Sequence, residues 1–209
     1  TCFFGCLSLA SLAIPNTVTY IGPRILDTCV SLVELTIPFI GLNRTTVANQ
    51  ESYPLGYIFG ITVQDTLVKT TQTFNYDGSS NTIDYYFPGH LAIVVVNDDV
   101  LPVGAFQNCS NIQAVDINDA SKLCEYSFSG CSGLKTIISG NSELVIASTA
   151  FQNTVNIEMV FLEYSKAEYI SNCFNGIAAV SFYSENNPTD SGSDSYWHYD
   201  ADGVPTLWL

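Results

Sequence analysis

Two histidines, His90 and His198, are the first candidates for acid–base chemistry in this chain. A serine or cysteine nucleophile needs its base within hydrogen-bond reach, and that base is often a histidine. His198 stands in an aromatic run near the C-terminus, whereas His90 stands at the entry to a predicted strand. No converging set of catalytic groups accompanies either one, so we expect structural roles for both. The sequence therefore predicts that the chain is not an enzyme and has no catalytic residue.

Seven cysteines could in principle bind zinc or form disulfides. The chain has no Cys-x-x-Cys pair of the kind found in zinc sites, and an odd number cannot all pair internally. Cys6, Cys29, Cys109 and Cys131 share one slot of an internal repeat, so they should point in parallel rather than converge. We expect buried free thiols that pack as small apolar groups, with a Cys109–Cys131 disulfide as the alternative.

Acidic loops are the remaining candidates for a metal site. Residues 97–99 and 116–119 contain carboxylates, which calcium prefers as ligands. Neither segment has the spacing of a calcium-binding loop, and loop acids are usually solvated. The sequence therefore predicts no metal site and no cofactor.

The charge balance restricts the partners. The chain carries 20 acidic and 6 basic residues, for a net charge of −14. Because the basic residues are scattered, no patch can neutralise a phosphate backbone, and we expect no nucleic-acid partner. No apolar stretch approaches the ~20 residues needed to span a bilayer, so we expect no direct membrane insertion. The chain starts at Thr1 without a methionine, and we interpret it as a piece of a longer protein.

The elements that position these residues come from an internal repeat. Residues 105–109, 127–131 and 150–154 align, and apolar residues follow three, six and usually eight positions after each segment. The copies are 20 to 23 residues apart except for one gap of 59, and such a period is typical of leucine-rich repeats. The first apolar position recurs at Leu9, Leu32, Leu91, Ile112, Leu134, Ile157 and Ile177.

This spacing predicts the fold. Each copy contains a short strand whose alternate residues point inward, and stacking the copies makes a parallel sheet over a continuous apolar ladder. We expect an α/β fold dominated by β-structure: a right-handed leucine-rich-repeat solenoid with a parallel concave sheet. A recurring phenylalanine should fill the far side of the core; its members are Phe3 or Phe4, Phe106, Phe128 and Phe151.

We interpret residues 1–209 as a single leucine-rich-repeat domain. Repeats occupy residues 1–40 and 88–182, a β-rich insertion occupies 41–87, and a C-terminal cap occupies 183–209. Within the insertion, strands are predicted at 56–60, 71–76 and 82–87, with a turn at 77–81. Both tryptophans lie in the predicted cap, as expected of a segment that covers the last coil.

The repeat resembles a known family. Residues 4–22 fit the pattern A-F-x-x-C-x-x-L-x-x-I-x-I-P-x-x-V-x-x-I-G almost fully. This pattern is similar to the BspA-like leucine-rich repeats of bacterial and protozoan surface proteins, and the resemblance covers essentially the whole chain. Departures occur at Thr154 and Phe174 in the cysteine slot and in residues 163–172. The resemblance implies an extracellular, cell-surface or secreted protein that binds host macromolecules, and it implies no catalytic activity.

Two rows of residues should face outward from the concave sheet. The first row is Ser11, Glu34, Ile93, Ala114, Thr136, Met159 and Ala179, and the second is Ala13, Thr36, Val95, Asp116, Ile138, Phe161 and Ser181. Five members are unusually apolar for solvent-facing positions, and exposed apolar patches often mark interaction sites. These candidate binding residues are Ile93, Val95, Ile138, Met159 and Phe161.

Two functions follow from these rows. The first is a non-catalytic module that binds an extracellular protein or glycan, as in adhesion. The alternative is a structural spacer that displays other domains of a larger surface protein. If the insertion or the tail instead folds back over the rows, their apolar residues are explained by internal packing.

Overall fold

A computed structural model describes residues 2–44, 53–76, 79–118, 120–141, 144–154, 157, 159–162, 181–188, 195–202 and 205–208. Within these ranges short strands dominate and helix is scarce. In chain order the elements are β1 (Ser11–Ala13), β2 (Glu34–Ile37), α1 (Gly56–Phe59), β3 (Leu67–Tyr76), β4 (Ser79–Pro88), β5 (Ile93–Val96), β6 (Val100–Leu101), β7 (Ala114–Asp116), β8 (Lys122–Leu123), β9 (Thr136–Ser139), β10 (Val145–Ile146), β11 (Met159–Leu162), β12 (Ser181–Tyr183), β13 (Ser195–Tyr199) and β14 (Pro205–Leu207).

The main sheet has nine strands in the order β1-β2-β5-β7-β9-β11-β12-β13-β14. Every neighbouring pair from β1 to β13 is parallel, and only β14 runs antiparallel to its neighbour. The first seven strands in this order are the seven repeat copies of the sequence. Their inward residues lie in one register, with Leu35 opposite Val94 and Val115 opposite Ile137, and all four side chains are buried. The predicted parallel solenoid is therefore confirmed.

The far side of the core is lined by aromatic rings. Phe106 stacks on Phe128 with ring centroids 5.0 Å apart, and Phe128 stacks on Phe151 at 5.3 Å. The ring planes are within 6° of parallel, because each ring repeats at the same place in consecutive coils. In the first coil Phe3 packs against the core, whereas Phe4 is exposed. Phe3 is thus the member that continues the row.

The cysteine slot has a hydrogen-bonding role that the sequence did not reveal. The Cys29 Sγ donates to the Phe3 carbonyl at 3.0 Å, and the Cys131 Sγ donates to the Phe106 carbonyl at 2.9 Å. Thr154 donates its hydroxyl to the Phe128 carbonyl in the same way. In these three coils the slot therefore holds a small side chain that donates to the preceding coil, and threonine substitutes for cysteine without breaking the pattern.

The thiols match the prediction except in the first coil. Cys29, Cys109 and Cys131 are buried and free, so the alternative Cys109–Cys131 disulfide is not formed. Burial raises the pKa of Cys131 to about 12 and raises that of Cys109 well above its usual value. Cys6, which lies in the first described coil, is exposed instead.

The residue that precedes the slot adopts a left-handed backbone in five turns. These residues are Gly5, Thr28, Asn108, Gly130 and Asn153, with φ between 60° and 72°. Glycine and asparagine tolerate this conformation, whereas a β-branched threonine does so at a cost. The shape of the turn is therefore imposed by the stacked coils and not by residue type alone.

The insertion contains a helix where a strand was predicted. The prediction of a strand at residues 56–60 is wrong, because Gly56–Phe59 forms α1 and Gly60 N–H closes the turn onto the Gly56 carbonyl. Backbone bonds join this turn to the preceding coil, from Arg24 N–H to the Tyr57 carbonyl and from Leu26 N–H to the Ile58 carbonyl. Coil stacking has overridden the strand preference of the aromatic and β-branched residues.

The other two predicted strands of the insertion form an antiparallel hairpin. β3 and β4 are longer than the predicted 71–76 and 82–87, and they pair over their full length from Leu67–Pro88 to Tyr76–Ser79. Ser79 and Asn81 therefore lie within β4 and not in the predicted turn; residues 77–78 lie outside the described part.

The C-terminal strands close one end of the sheet. Trp197 in β13 is fully buried, and Trp208 donates its Nε1 hydrogen to the Ser184 carbonyl at 2.8 Å. β14 pairs antiparallel with β13, so the parallel ladder ends there. The division of the chain that assigns residues 183–209 to a C-terminal cap stays a prediction.

Candidate binding surface

The two histidines lie near different strands of the main sheet. His90 is exposed in the turn that follows β4 and leads to β5. His198 lies in β13 and stacks on the Trp208 ring, with centroids 3.6 Å apart. Five strand spacings separate β5 from β13, which corresponds to about 24 Å. The structure therefore does not bring the two imidazoles into one site.

The acidic loop after β5 pairs with an arginine. Arg44 Nη1 donates to the Asp98 carboxylate at 3.0 Å and to the Asn97 carbonyl at 2.9 Å. Burial raises the pKa of Asp98, although the Arg44 guanidinium opposes this effect. These residues, with Asn118, border a polar cleft of about 310 Å³. Within the described residues no group of three histidine, cysteine or acidic side chains is placed to hold a metal ion.

The two predicted outward rows lie in the predicted register. Along the first row Ser11 pairs with Glu34, Glu34 with Ile93, Ile93 with Ala114, Ala114 with Thr136, and Thr136 with Met159. Along the second row Ala13 pairs with Thr36, Thr36 with Val95, Val95 with Asp116, Asp116 with Ile138, Ile138 with Phe161, and Phe161 with Ser181. Ala179 lies outside the described residues. We call the surface formed by these rows the open face.

The candidate binding residues fall into two groups on the open face. Ile93, with 40% of its surface exposed, and the half-buried Val95 stand together on β5. Ile138 is half-buried on β9, and Asp116 of β7 lies between it and Val95. Strand β7 therefore interrupts the apolar surface between β5 and β9. The second row of the sequence has the same order, with Asp116 between Val95 and Ile138.

The remaining two candidates, Met159 and Phe161, belong to β11. Their backbone lies next to β9, with Phe161 opposite Ile138. Their side chains lie outside the described part of the structure, so their exposure stays a prediction.

Polar residues border the apolar pair on β5. Glu34 is opposite Ile93 on the β2 side, and Asp116 is opposite Val95 on the β7 side. Glu34 is exposed, while Thr36 and Asp116 are half-buried. An apolar centre within a polar, partly acidic border has the layout of a protein-binding surface.

The hairpin β3–β4 is attached to the turn side of the solenoid. The buried Gln72 side chain accepts from Gly56 N–H at 2.8 Å and donates to the Gln107 carbonyl at 2.9 Å. Asn108 Nδ2 donates to the Thr71 carbonyl at 2.8 Å. These bonds hold the middle of the hairpin against the turn that carries the phenylalanine stack. The hairpin anchored in this way does not cover Ile93, which is 40% exposed on the open face.

The described tail also leaves β5 uncovered, because β13 and β14 extend the sheet at its edge. No helix in the described part of the chain has the length and apolar character needed to cross a bilayer.

The comparisons with known proteins agree with this architecture. A family model described as BspA type leucine rich repeat region matches in six copies, over residues 1–89 and 100–197. Searches of curated proteins and of solved structures returned no match. The family model covers most of the chain, and the repeat that it describes corresponds to the coils of the main sheet. This chain therefore belongs to the BspA-type leucine-rich repeat family.

Proposed function

We propose that this chain is a non-catalytic binding module that recognises a protein partner through the open face. The observation that carries the proposal is the exposure of Ile93, at 40%, on a strand in the middle of an ordered parallel sheet. A β-strand residue on such a face is usually polar when it meets only water. An aliphatic pair on one strand is therefore better explained by a partner that covers it.

The chemistry of the face favours a protein over a glycan. Ile93 and Val95 are branched aliphatic side chains, which pack against apolar side chains and offer no hydrogen bond to a sugar hydroxyl. Glu34 and Asp116 border them, and the chain as a whole carries a net charge of −14. The expected partner therefore presents an apolar residue surrounded by basic ones, which also speeds association at low salt.

The expected location is extracellular, at the cell surface or secreted. Membership of the BspA-type family supports this, since proteins with such repeats are typically surface-associated. Adhesion to a host or extracellular protein is the activity that fits both this location and the open face.

The experiment is a binding screen followed by surface variants. The purified chain is tested against immobilised extracellular-matrix proteins and a glycan array, and the best ligand is measured with the Ile93→Glu variant. Val145→Glu is the matched control, because Val145 is also exposed, at 52%, but lies on β10 of the separate three-stranded sheet. We expect Ile93→Glu to weaken binding at least tenfold, since a charge would be buried against the partner, and Val145→Glu to leave it unchanged.

Other outcomes decide against the proposal. Equal affinity for wild type and Ile93→Glu would place the site elsewhere, and selective binding to glycans would replace the protein partner with a sugar. If no ligand is retained, while polar substitution of the core residue Ile137 unfolds the chain, the chain is a structural spacer.

A further inference from the structure

A shallow furrow runs along β7 on the open face. Ala114, in the first row, is half-buried and has a single methyl group as its side chain. Its neighbours across the sheet are larger, with Ile93 on β5 and Thr136 on β9. These two residues lie two strand spacings apart, which is about 10 Å between backbones. Because apolar groups pack at about 4 Å, the space above Ala114 has room for one further side chain.

The second row places a carboxylate at one end of this furrow. Asp116 follows Ala114 by two residues on β7, so the two side chains point to the same face, about 7 Å apart. Val95 and Ile138 lie on the two sides of Asp116, and all three are half-buried. Asn118 N–H donates to Asp116 Oδ1 at 2.8 Å and so fixes the carboxylate in place. The negative charge therefore lies between two apolar walls.

An apolar furrow that ends in a carboxylate fits a basic side chain with an aliphatic stem. Lysine and arginine bury such stems along apolar surface while the charged end reaches a polar group. A carboxylate that is partly removed from water attracts a cation more strongly than one in bulk water does. An aliphatic occupant would desolvate Asp116 without supplying a cation, and an acidic occupant would be repelled by it. Charge complementarity therefore identifies the occupant, in a chain whose net charge is −14.

We propose that the furrow above Ala114 receives a lysine or arginine side chain of the protein partner, with its stem between Ile93 and Thr136 and its charged end at Asp116. This inference rests on the proposed function, because it assigns a place to one of the basic residues expected of the partner. It also gives the interruption of the apolar surface a role. The strand that separates the two apolar groups of the open face is the strand that binds the partner's cation.

Selection of displayed peptides on the full chain provides the probe. A random heptapeptide library is passed first over the Ile93→Glu variant, which removes peptides that bind elsewhere on the molecule, and then over wild type. We expect the retained peptides to share a lysine or arginine beside an apolar residue. The dissociation constant of the best peptide is then measured by fluorescence polarisation with wild type and with each variant.

Two variants test the furrow, and each has a matched control. Ala114→Ile fills the furrow without changing the charge and should weaken binding at least tenfold, whereas Ala201→Ile, at an exposed turn residue, should not. Asp116→Asn removes the charge but keeps an oxygen that accepts from Asn118 N–H. Replacing the peptide's basic residue by a neutral analogue, citrulline for arginine or acetyl-lysine for lysine, should weaken binding at least tenfold on wild type but less than twofold on Asp116→Asn. On Glu125→Gln, which removes an exposed charge on the turn side, the tenfold loss should remain.

Circular dichroism checks that each variant is folded, and Ala114→Val replaces Ala114→Ile if the larger side chain unfolds the chain. Retained peptides without a basic residue overturn the inference. So does an equal loss on wild type and Asp116→Asn for the neutral analogue, or unchanged binding by the folded Ala114 variant. In each of these cases the peptides still distinguish wild type from Ile93→Glu, so the proposed function stands. If no peptide distinguishes these two proteins, the inference and the proposed function both fail.

Discussion

Replacing Phe128 by alanine removes the central ring of the aromatic stack and should strongly destabilise the solenoid. The side chain is fully buried, with Phe106 stacked on one side and Phe151 on the other. Truncating a buried phenylalanine typically costs about 3–5 kcal/mol. Each of the two ring pairs contributes about 0.5–1.5 kcal/mol beyond area burial. We therefore expect the free energy of unfolding to fall by about 4–8 kcal/mol.

Urea denaturation followed by far-UV circular dichroism and by tryptophan fluorescence measures this loss. Coincidence of the two signals tests whether unfolding is two-state, which a repeat array need not obey. Because each coil contacts only its neighbours, the loss should be local. Hydrogen exchange should accelerate at Phe106 and Gly130, whose amides bond to the adjacent coils, more than at the distant Leu26.

A second substitution separates cavity formation from ring stacking. Phe128→Leu keeps most of the volume but loses both ring pairs, so it should cost about 1–3 kcal/mol. A loss below about 2 kcal/mol for Phe128→Ala, or equal losses for the two variants, would refute the role assigned to the stack.

Two further predictions concern a glycine and the alkaline pH range. Gly133→Ala should lower the melting temperature sharply, because the added Cβ would stand 2.0 Å from the Ser110 carbonyl oxygen. Gly22→Ala is the control, because its added Cβ would stand 3.8 Å from the nearest atom, in the Tyr20 ring. Equal melting temperatures for the two variants would contradict the clash. Stability should fall as pH rises from 9 toward 12, since burial raises the pKa of Cys131 from 9.0 to about 12 and that of Tyr57 from 10.0 to about 12. The protonated thiol and phenol favour the folded state. Their contribution to the free energy of unfolding is therefore complete below the unfolded pKa values and is lost as pH rises through the folded ones. Melting curves at pH 8 to 11 test this, and a melting temperature that does not fall over that range would contradict it.

The strand register was predictable because two signals agree in the sequence. The repeat fixes which residues are equivalent, and the alternation within each copy fixes which of them face inward. Val94, Val115 and Ile137 therefore fall on one buried ladder, and Ile93 and Val95 fall on the open face, as expected.

The incorrect predictions concern residues whose structure is determined by contacts between stacked coils and not by the local sequence pattern. Residues 56–60 are rich in aromatic and β-branched side chains, yet bonds from Arg24 and Leu26 draw them into a helical turn. The left-handed backbone at Thr28 likewise has no signal in its own residue type. The exposure of Cys6 is not indicated by the slot that it shares with three buried cysteines.

The attachment of the β3–β4 hairpin has a consequence for how this chain tolerates change. β2 and β5 pair in register although residues 38–92 lie between them, and the hairpin leaves the coil after the α1 turn and returns before β5. Its middle is held by Gln72, whereas residues 79–82 near its tip are exposed. Because the entropy of closing a loop grows only slowly with length, residues can be added or replaced near the tip without shifting any coil. This hairpin is therefore the natural place for the sequence to diversify, and for an engineer to graft a foreign peptide while the solenoid stays in register.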